Sequence, residues 1–425
     1  MLTKQDNELL TRVGPATPMG RLFRRFWLPA LMPSELPQAD CDPVRVRLLG
    51  EDLIAFRDTN GKPGFIQNNC PHRGASLFFG RNEEGGLRCV YHGWKFAVDG
   101  TCVDMPNEPA ESDFKHRVRA TAYPGADWGG MIWIYMGPPD LTPSLPELEW
   151  CLVPDEHRVL QRWIHETNYA QAAEGDIDTS HISFLHRRAI PGVAGLEAAP
   201  DLAPKLMVKE TDYGFVYGGR RQAENRTFHW RLTQWMLPFY SIIPGTYPLT
   251  GHAYVPIDDE HTSVVGYRYH PERPLSAEEQ AQVRNGLLAV PRVDRYTLYP
   301  VANRQNDYLI DRQMQKTVNY TGIRGISEQD MAMTQSMGPI YDRSQEHLGT
   351  SDVAVIAMRR LLLRLAANLE DGLPGPYAAY HGEAYRIRPL DTRSEDPTLQ
   401  GILEEYETDL RMPAQETHSF GGGEP

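Results

Sequence analysis

The chain has 425 residues and a formal net charge of −13. This length allows more than one hydrophobic core, so we expect at least two domains, and the acidic balance argues against nucleic acid as a partner. The first residues are polar, the apolar runs are too short to span a membrane, and the five cysteines suggest no disulfide framework. These features predict a cytoplasmic protein without a membrane segment.

Residues 1–25 are polar and predict a short N-terminal segment with one or two helical turns. From residue 26 to 138, short apolar runs alternate with Gly and Pro, which predicts a small antiparallel β domain. Its predicted strands cover residues 44–49, 53–57, 64–68, 87–90 and 130–136. The Pro-rich stretch that begins at residue 137 places a domain boundary at residue 138.

Two Cys/His pairs stand out in this first domain. Cys70 and His72 are followed, after sixteen residues, by Cys89 and His92. In a Rieske 2Fe–2S cluster, two thiolates hold one iron and two imidazoles hold the other. Zinc also accepts two Cys and two His, but zinc fingers usually group the two Cys and the two His separately. The spacing therefore predicts a Rieske cluster, with zinc as the main alternative.

After residue 138, the sequence predicts a strand over 157–166, a helix over 168–185 and a β meander from 206 to 269. Ser276 and Ser351 each precede a predicted helix, and the second helix runs to about residue 369. The tail from Arg393 is polar and predicts frayed structure.

The predicted helix over 168–185 contains a second candidate site. His181 and His186 are five residues apart, and Asp178 precedes His181 by three. Two histidines and one carboxylate form the facial triad of many non-haem iron enzymes. On a regular helix the two rings would lie about 140° apart, so the helix must bend or end between them. Histidines at this spacing are more often ordinary residues, but a Rieske cluster needs an electron acceptor, and Asp178 is placed to orient His181.

With both motifs, the chain resembles the oxygenase component (alpha subunit) of the Rieske non-haem iron aromatic ring-hydroxylating oxygenases, in the phthalate 4,5-dioxygenase-like branch. Residues 70–94 and 174–186 carry the resemblance, and residues 129–138 and 320–352 support it. It implies an α+β fold, with a small antiparallel β Rieske domain over 26–138. A helix-grip (START/Bet v 1-like) catalytic domain with mononuclear non-haem iron would follow over 139–425.

The resemblance also implies roles for individual residues. Cys70, His72, Cys89 and His92 would hold the 2Fe–2S cluster, and His181 and His186 would bind the mononuclear Fe(II). Asp178 would relay electrons to that iron from His92 of the partner subunit. The carboxylate ligand late in the chain would be Asp330, although Asp330 is also explained as an acid in the first turn of a helix. Three other acids are alternatives: Asp307, Asp311 and Asp342.

The implied activity uses O2 and electrons relayed from NADH through a flavin/ferredoxin-type reductase. A small aromatic substrate, favoured to be an aromatic carboxylate, would undergo cis-dihydroxylation in a homo-oligomer, a trimer or hexamer. The alternative is a Rieske monooxygenase that demethylates O- or N-methyl groups or cleaves aryl ethers. An electron carrier or degenerate scaffold would lack part of the second site, whereas Asp178, His181 and His186 are all present.

The sequence also suggests walls for the pocket. One face of the segment 227–237 is expected to line it. If Arg231 points inward, it could grip a substrate carboxylate. If Arg231 points outward, it has a structural or solvated role.

Overall fold

The computed structural model describes residues 2–109, 111–189 and 201–413. Within these ranges, no helix is both long and apolar enough to cross a membrane. The predicted α+β architecture is confirmed, because two small antiparallel sheets precede a larger antiparallel sheet that is accompanied by helices.

The N-terminal segment contains two short helices, α1 (Lys4–Thr11) and α2 (Pro18–Phe23). Each helix is capped by a threonine hydroxyl that accepts a hydrogen bond from a first-turn amide: Thr3 caps α1 and Thr17 caps α2. The segment packs on helices of the second half of the chain.

The first domain contains a six-stranded and a four-stranded antiparallel sheet. The six strands, in the spatial order β1-β10-β9-β4-β3-β2, are β1 (Trp27–Leu31), β2 (Val44–Leu48), β3 (Glu51–Arg57), β4 (Pro63–Gln67), β9 (Ala122–Trp128) and β10 (Met131–Tyr135). The four strands, in sequence order, are β5 (Arg81–Glu83), β6 (Gly86–Arg88), β7 (Lys95–Phe96) and β8 (Cys102–Asp104). The two Cys/His pairs lie on the loops that follow β4 and β6.

The second domain is built on an antiparallel sheet of eight strands. They are β11 (Arg158–His165), β12 (Lys205–Glu210), β13 (Gly214–Gln222), β14 (Phe228–Met236), β15 (Tyr240–Ile243), β16 (Leu249–Pro256), β17 (Thr262–Tyr269) and β18 (Leu390–Ser394). Seven strands run in the order β11-β17-β16-β15-β14-β13-β12, and β18 pairs with the first half of β14.

The helices of the second domain lie between and after these strands. They are α3 (Glu149–Leu152), α4 (Tyr169–Glu174), α5 (Ala277–Arg284), α6 (Arg312–Thr317), α7 (Ile326–Ser336), α8 (Val353–Glu370) and α9 (Leu399–Glu405). The longest helix, α8, packs against β12, β13 and the N-terminal helices. Ser276 caps α5 in a capping box with Glu279, as the sequence predicted.

A stack of aromatic rings joins the two domains. Trp133 of β10 stacks on Trp150 of α3, with ring centroids 6.0 Å apart, and Trp150 stacks on Tyr267 of β17 at 5.0 Å. All three side chains are buried in one continuous hydrophobic cluster. The two sheets therefore share a core, which fixes the first domain against the second.

Two sequence predictions about this domain are wrong. The segment 168–185 is not one helix, because α4 ends at Glu174 and only short 3-10 turns follow. The tail from Arg393 to residue 413 is not frayed, since β18 pairs with β14, and Leu399 and Ile402 of α9 are buried against it. The final glycines lie outside the described residues.

Candidate metal centres and the adjoining cavity

The two Cys/His loops of the first domain share one backbone design. In each loop the cysteine amide donates to the carbonyl five residues on, at 2.8 Å for both Cys70 and Cys89. The amide four residues on donates back to the cysteine carbonyl, at 2.9 Å for both Gly74 and Gly93. These glycines have φ angles of +77° and +80°, a region that glycine enters without steric cost. The loops therefore present their side chains in matching ways.

The two loops bring their cysteines next to each other and their histidines next to each other. Cys70 and Cys89 are both 3% exposed, and burial, with Cys89 nearby, raises the pKa of Cys70 to about 11. The rings of His72 and His92 meet edge to face, with centroids 4.4 Å apart. The Nδ1 atom of His72 is buried and has no hydrogen-bond partner among the described residues. A buried nitrogen without a partner is costly, so this donor set of two thiols and two imidazoles fits a 2Fe–2S cluster.

The early end of α4 shapes the second centre. After α4 the chain makes a short 3-10 turn (Gly175–Ile177), and Asp178 Oδ1 then accepts a hydrogen bond from the Ser180 amide at 2.7 Å. A second 3-10 turn (His181–Ser183) leads to His186. Because no regular helix joins the two histidines, the angular separation that a helix would impose does not arise.

Three ligand atoms converge at this second centre. The Nε2 atoms of His181 and His186 lie 3.0 Å apart. Asp330 Oδ1 lies 3.6 Å from His181 Nε2 and 3.1 Å from His186 Nε2. These ligand atoms lie within 4.8 Å of one another, and no other set of three or more potential ligands in the described ranges is as close together. Two imidazole nitrogens and one carboxylate oxygen are the donor set that ferrous iron takes in a facial triad.

Gln329 orients one of these histidines. Its Nε2 donates to the carbonyl of Ile323 at 2.9 Å, so its Oε1 is the atom that faces His186 Nδ1 at 2.8 Å. Nδ1 must therefore carry the proton, and the lone pair of Nε2 points toward His181 and Asp330. In the sequence, Gln329 is not distinguished from the rest of the stretch 320–352, because an amide that contacts a metal ligand follows no spacing rule.

Replacing Gln329 with leucine is expected to weaken Fe(II) binding about 10- to 100-fold, because His186 loses the acceptor that fixes its tautomer. The measurement is an anaerobic Fe(II) titration of protein that retains its cluster but has been depleted of mononuclear iron. Gln329→Glu is the matched control, since its carboxylate still accepts from Nδ1. Equal Fe(II) affinity in the leucine variant and the unmodified protein would contradict this role.

Comparison with known protein families gives two matches, which together cover most of the chain. Residues 26–123 match the Rieske [2Fe-2S] domain, and residues 134–379 match the family described as LigXa C-terminal domain like. The chain belongs to the Rieske non-haem iron oxygenases. The predicted family, and an aromatic ring-hydroxylating oxygenase subunit as the type of enzyme, are confirmed. The predicted cofactors, a Rieske 2Fe–2S cluster and a mononuclear non-haem iron that works with O2, are those of this family.

Individual relatives place the chain within the family. It is 40% identical over 383 residues to the 3-chlorobenzoate-3,4-dioxygenase oxygenase subunit of Comamonas testosteroni, covering 86% of this chain and 88% of that protein. It is 41% identical over 389 residues to the phthalate 4,5-dioxygenase oxygenase subunit of Pseudomonas putida, covering 88% of each. The 5,5'-dehydrodivanillate O-demethylase oxygenase subunit of a Sphingobium species is 32% identical, covering 95% of this chain and 90% of that protein.

Solved structures confirm the fold. Dicamba monooxygenase matches with a TM-score of 0.58 and 18% identity, over 82% of this chain and 98% of that chain. The terminal oxygenase of carbazole 1,9a-dioxygenase from Nocardioides aromaticivorans matches with a TM-score of 0.56 and 18% identity, over 85% of this chain and 97% of that chain. The predicted arrangement of a Rieske domain followed by a catalytic domain is therefore confirmed.

In this Rieske oxygenase, Asp178 contacts His181, whereas Gln329 contacts His186. Its Oδ2 lies 3.5 Å from Nδ1 of His181. Burial opposes ionisation of the carboxyl, but the hydrogen bond from His181 keeps the pKa of Asp178 below its ordinary value. The side chain is 29% exposed, so part of this carboxylate is open to solvent.

Asp330 lies on α7, which begins at Ile326, so it occupies the second helical turn rather than the first turn that the sequence suggested. The three alternative acids are elsewhere. Asp311 caps α6 by accepting from two backbone amides, and Asp342 accepts from the Ser344 amide and hydroxyl. Asp307 lies in an irregular turn with a φ of +50°. None of the three joins the cluster of ligand atoms.

A cavity of about 700 Å³ adjoins the triad. His181, Asp178 and Asp330 line one side, and apolar side chains such as Leu185, Ile323 and Met331 line much of the rest. The sheet contributes β11 and β16, through Trp163, His165, His252 and Tyr254. A cavity of this size and character suits a small aromatic molecule.

The prediction that residues 227–237 line this cavity is wrong. Trp230 and Leu232 of β14 are buried against α9 instead. Arg231 pairs with Asp391 of β18 at 3.2 Å and donates to the carbonyl of Pro244 at 2.7 Å. The structural interpretation of Arg231 is therefore the correct one.

A buried ion pair anchors the turn that precedes Asp178. Asp176 accepts a hydrogen bond from His252 Nδ1 at 2.7 Å and another from the Ser241 hydroxyl. His252 Nε2 lies 2.7 Å from the carbonyl of Ala289, so both ring nitrogens face acceptors. The pKa of His252 is raised by Asp176 despite its burial. The imidazolium form satisfies both acceptors and ties the turn to β15 and β16.

Proposed function

We propose that this chain is the terminal oxygenase component that uses O2 and electrons from NADH to convert an aromatic carboxylate to a cis-dihydrodiol. The main support is the convergence of His181, His186 and Asp330 beside a largely apolar cavity. The relatives named above act on 3-chlorobenzoate and phthalate, which supports an aromatic acid as substrate. The net reaction adds one O2, two electrons and two protons to the ring.

Each centre would be held by its own set of side chains. Cys70, His72, Cys89 and His92 would hold the cluster, and His181, His186 and Asp330 would hold the mononuclear Fe(II). When bound, the two groups supply single electrons and activate O2. The domains would be residues 1–25, 26–138 and 139–425, for the N-terminal segment, the Rieske domain and the catalytic domain.

The protein's own contribution is to hold these groups and the substrate. Asp178 and Gln329 fix the protonated nitrogens of His181 and His186, and so aim both Nε2 lone pairs at one point. The apolar walls exclude water from the reacting ring.

The electron path would pass through Asp178. Its partly exposed carboxylate, one hydrogen bond from His181, would receive electrons from the cluster of a neighbouring subunit. A ring of three subunits, single or stacked to six, would bring the two groups together, since a closed heterologous interface makes a ring. Electrons would come from NADH through a flavin/ferredoxin-type reductase, and two structural neighbours are oxygenase–ferredoxin complexes of carbazole 1,9a-dioxygenase.

A Rieske monooxygenase is the second candidate. The O-demethylase relative and the structural similarity to dicamba monooxygenase favour it. The iron ligands are shared by both reactions, so the pose of the substrate decides which carbon meets the oxidant.

A single-turnover experiment distinguishes the two. Chemically reduced protein is mixed with O2 and one acid at a time, taken from phthalate isomers, benzoates and phenoxybenzoates. The products are identified by mass. A product heavier by two oxygens and two hydrogens is expected from one of these acids. Loss of a methyl or aryl group would instead establish the monooxygenase. No product from any acid, with both iron sites loaded, would overturn the choice of substrate class.

A further inference from the structure

The cavity has an acidic inner side. Four carboxylates line it, and each of them contacts a nearby cation or histidine. Glu174 pairs with Arg359 at 2.8 Å and Arg343 at 3.3 Å, and Asp176 pairs with His252. Asp178 and Asp330 contact the triad histidines. Apart from the Fe(II) proposed for the triad, this side offers no unpaired positive charge to a substrate carboxylate, and burying a carboxylate among these acids without a partner would be costly.

The two remaining cavity histidines do not supply such a charge. His165 is 4% exposed, and burial lowers its pKa to about 4, so it is neutral near pH 7. Its Nε2 lies 3.0 Å from the hydroxyl of Thr334. Both ring nitrogens of His252 already face acceptors.

The solvent-exposed part of the cavity wall has a different character. Four large side chains there are substantially exposed and mark the mouth: Phe184 (46%), Tyr320 (54%), Met333 (42%) and Met337 (49%). Arg312, at the first position of α6, is also exposed and lines the cavity. Among the described residues, it is the one Arg or Lys on the cavity wall.

The guanidinium of Arg312 is positioned but not neutralised. Its Nη1 donates to Gln315 Oε1 at 2.9 Å, and Gln315 also lines the cavity. Within residues 2–109, 111–189 and 201–413, no carboxylate forms an ion pair with it. A guanidinium presents several donors in a plane, which suits a carboxylate.

We propose that Arg312 binds the substrate carboxylate at the cavity mouth and so directs the far edge of the ring toward His181, His186 and Asp330. This inference rests on the proposed function and adds an orientation to it. Oxygen is then added to ring carbons remote from the carboxylate, and the carbon that bears the carboxylate is not attacked.

The test compares Arg312→Gln with Lys316→Gln in the iron-loaded protein. Lys316 is an exposed cation one turn along α6 that does not line this cavity, so its variant is the matched control. Binding of phthalate, 3-chlorobenzoate and neutral benzamide is measured anaerobically by calorimetry. Arg312→Gln is expected to weaken binding of the acids roughly 5- to 30-fold and to leave benzamide unchanged. Lys316→Gln is expected to change neither.

Product analysis by single turnover completes the test. The unmodified protein is expected to give only diols remote from the carboxylate, and Arg312→Gln a mixture of positions. If acids bind and react identically in Arg312→Gln and the unmodified protein, the role of Arg312 is wrong while the proposed function stands. If the unmodified protein neither binds nor oxidises the acids but oxidises benzamide, both the role of Arg312 and the aromatic-acid substrate are wrong.

Discussion

Replacing Asp330 with alanine is expected to remove the mononuclear iron and to spare the cluster. The substitution deletes the one carboxylate among the three converging donors, and two imidazoles alone bind Fe(II) far more weakly. We expect mononuclear iron to fall below about a tenth of its normal occupancy, and product formation to reach background. Iron analysis, the visible spectrum of the cluster and single-turnover product formation measure these effects.

The fold is expected to survive this substitution, since the Asp330 side chain is 32% exposed. Asp342→Asn is the matched control, because Asp342 is an acid outside the ligand group that bonds only locally. Retained iron and activity in Asp330→Ala, or loss of iron in Asp342→Asn, would show that the ligand has been assigned to the wrong acid.

Replacing Asp178 with asparagine is expected to leave both metal sites occupied and to slow electron delivery by about 100-fold. The amide has nearly the same shape as the carboxylate, so the contact with His181 Nδ1 can persist. The negative charge that would link His181 to an incoming cluster histidine is lost. The measurement is the rate at which the pre-reduced cluster is reoxidised when substrate and O2 are added.

Asp212→Asn is the control for this second variant, because Asp212 is an exposed acid in the turn between β12 and β13. Iron content must be unchanged in both variants for the comparison to hold. A normal rate of cluster reoxidation in Asp178→Asn would exclude the bridging role.

The candidate ligand residues could be selected from the sequence because metal chemistry restricts both residue type and spacing. The pairs at Cys70 and Cys89 sit on two loops with equivalent backbone hydrogen bonds, and the glycine four residues after each cysteine is visible in the sequence. His181 and His186 were predictable only together with the cluster motif. Their convergence depends on the break after Glu174, which the predicted helix over 168–185 missed because its first half has strong helix propensity.

The cavity walls were not predictable, because they depend on which layers of the fold pack together. Alternation along β14 correctly indicates two faces, but one face is covered by α9, from a tail that the sequence suggested was frayed. That tail pairs with β14 across about 160 residues of chain, and no local pattern reports such a pairing. Arg312 and Gln329 could not be selected for the same reason, because the roles proposed for them depend on tertiary contacts with the cavity and with His186.

The content of iron and acid-labile sulfide in the purified protein is the decisive test for two separate iron centres. We expect about three irons and two sulfides per chain, two irons in the cluster and one at the triad. The protein should be red-brown, and removal of loosely held iron should abolish turnover without bleaching it. Two irons per chain in a fully active protein would contradict the mononuclear centre. Zinc in place of iron and sulfide at Cys70 and Cys89 would contradict the cluster.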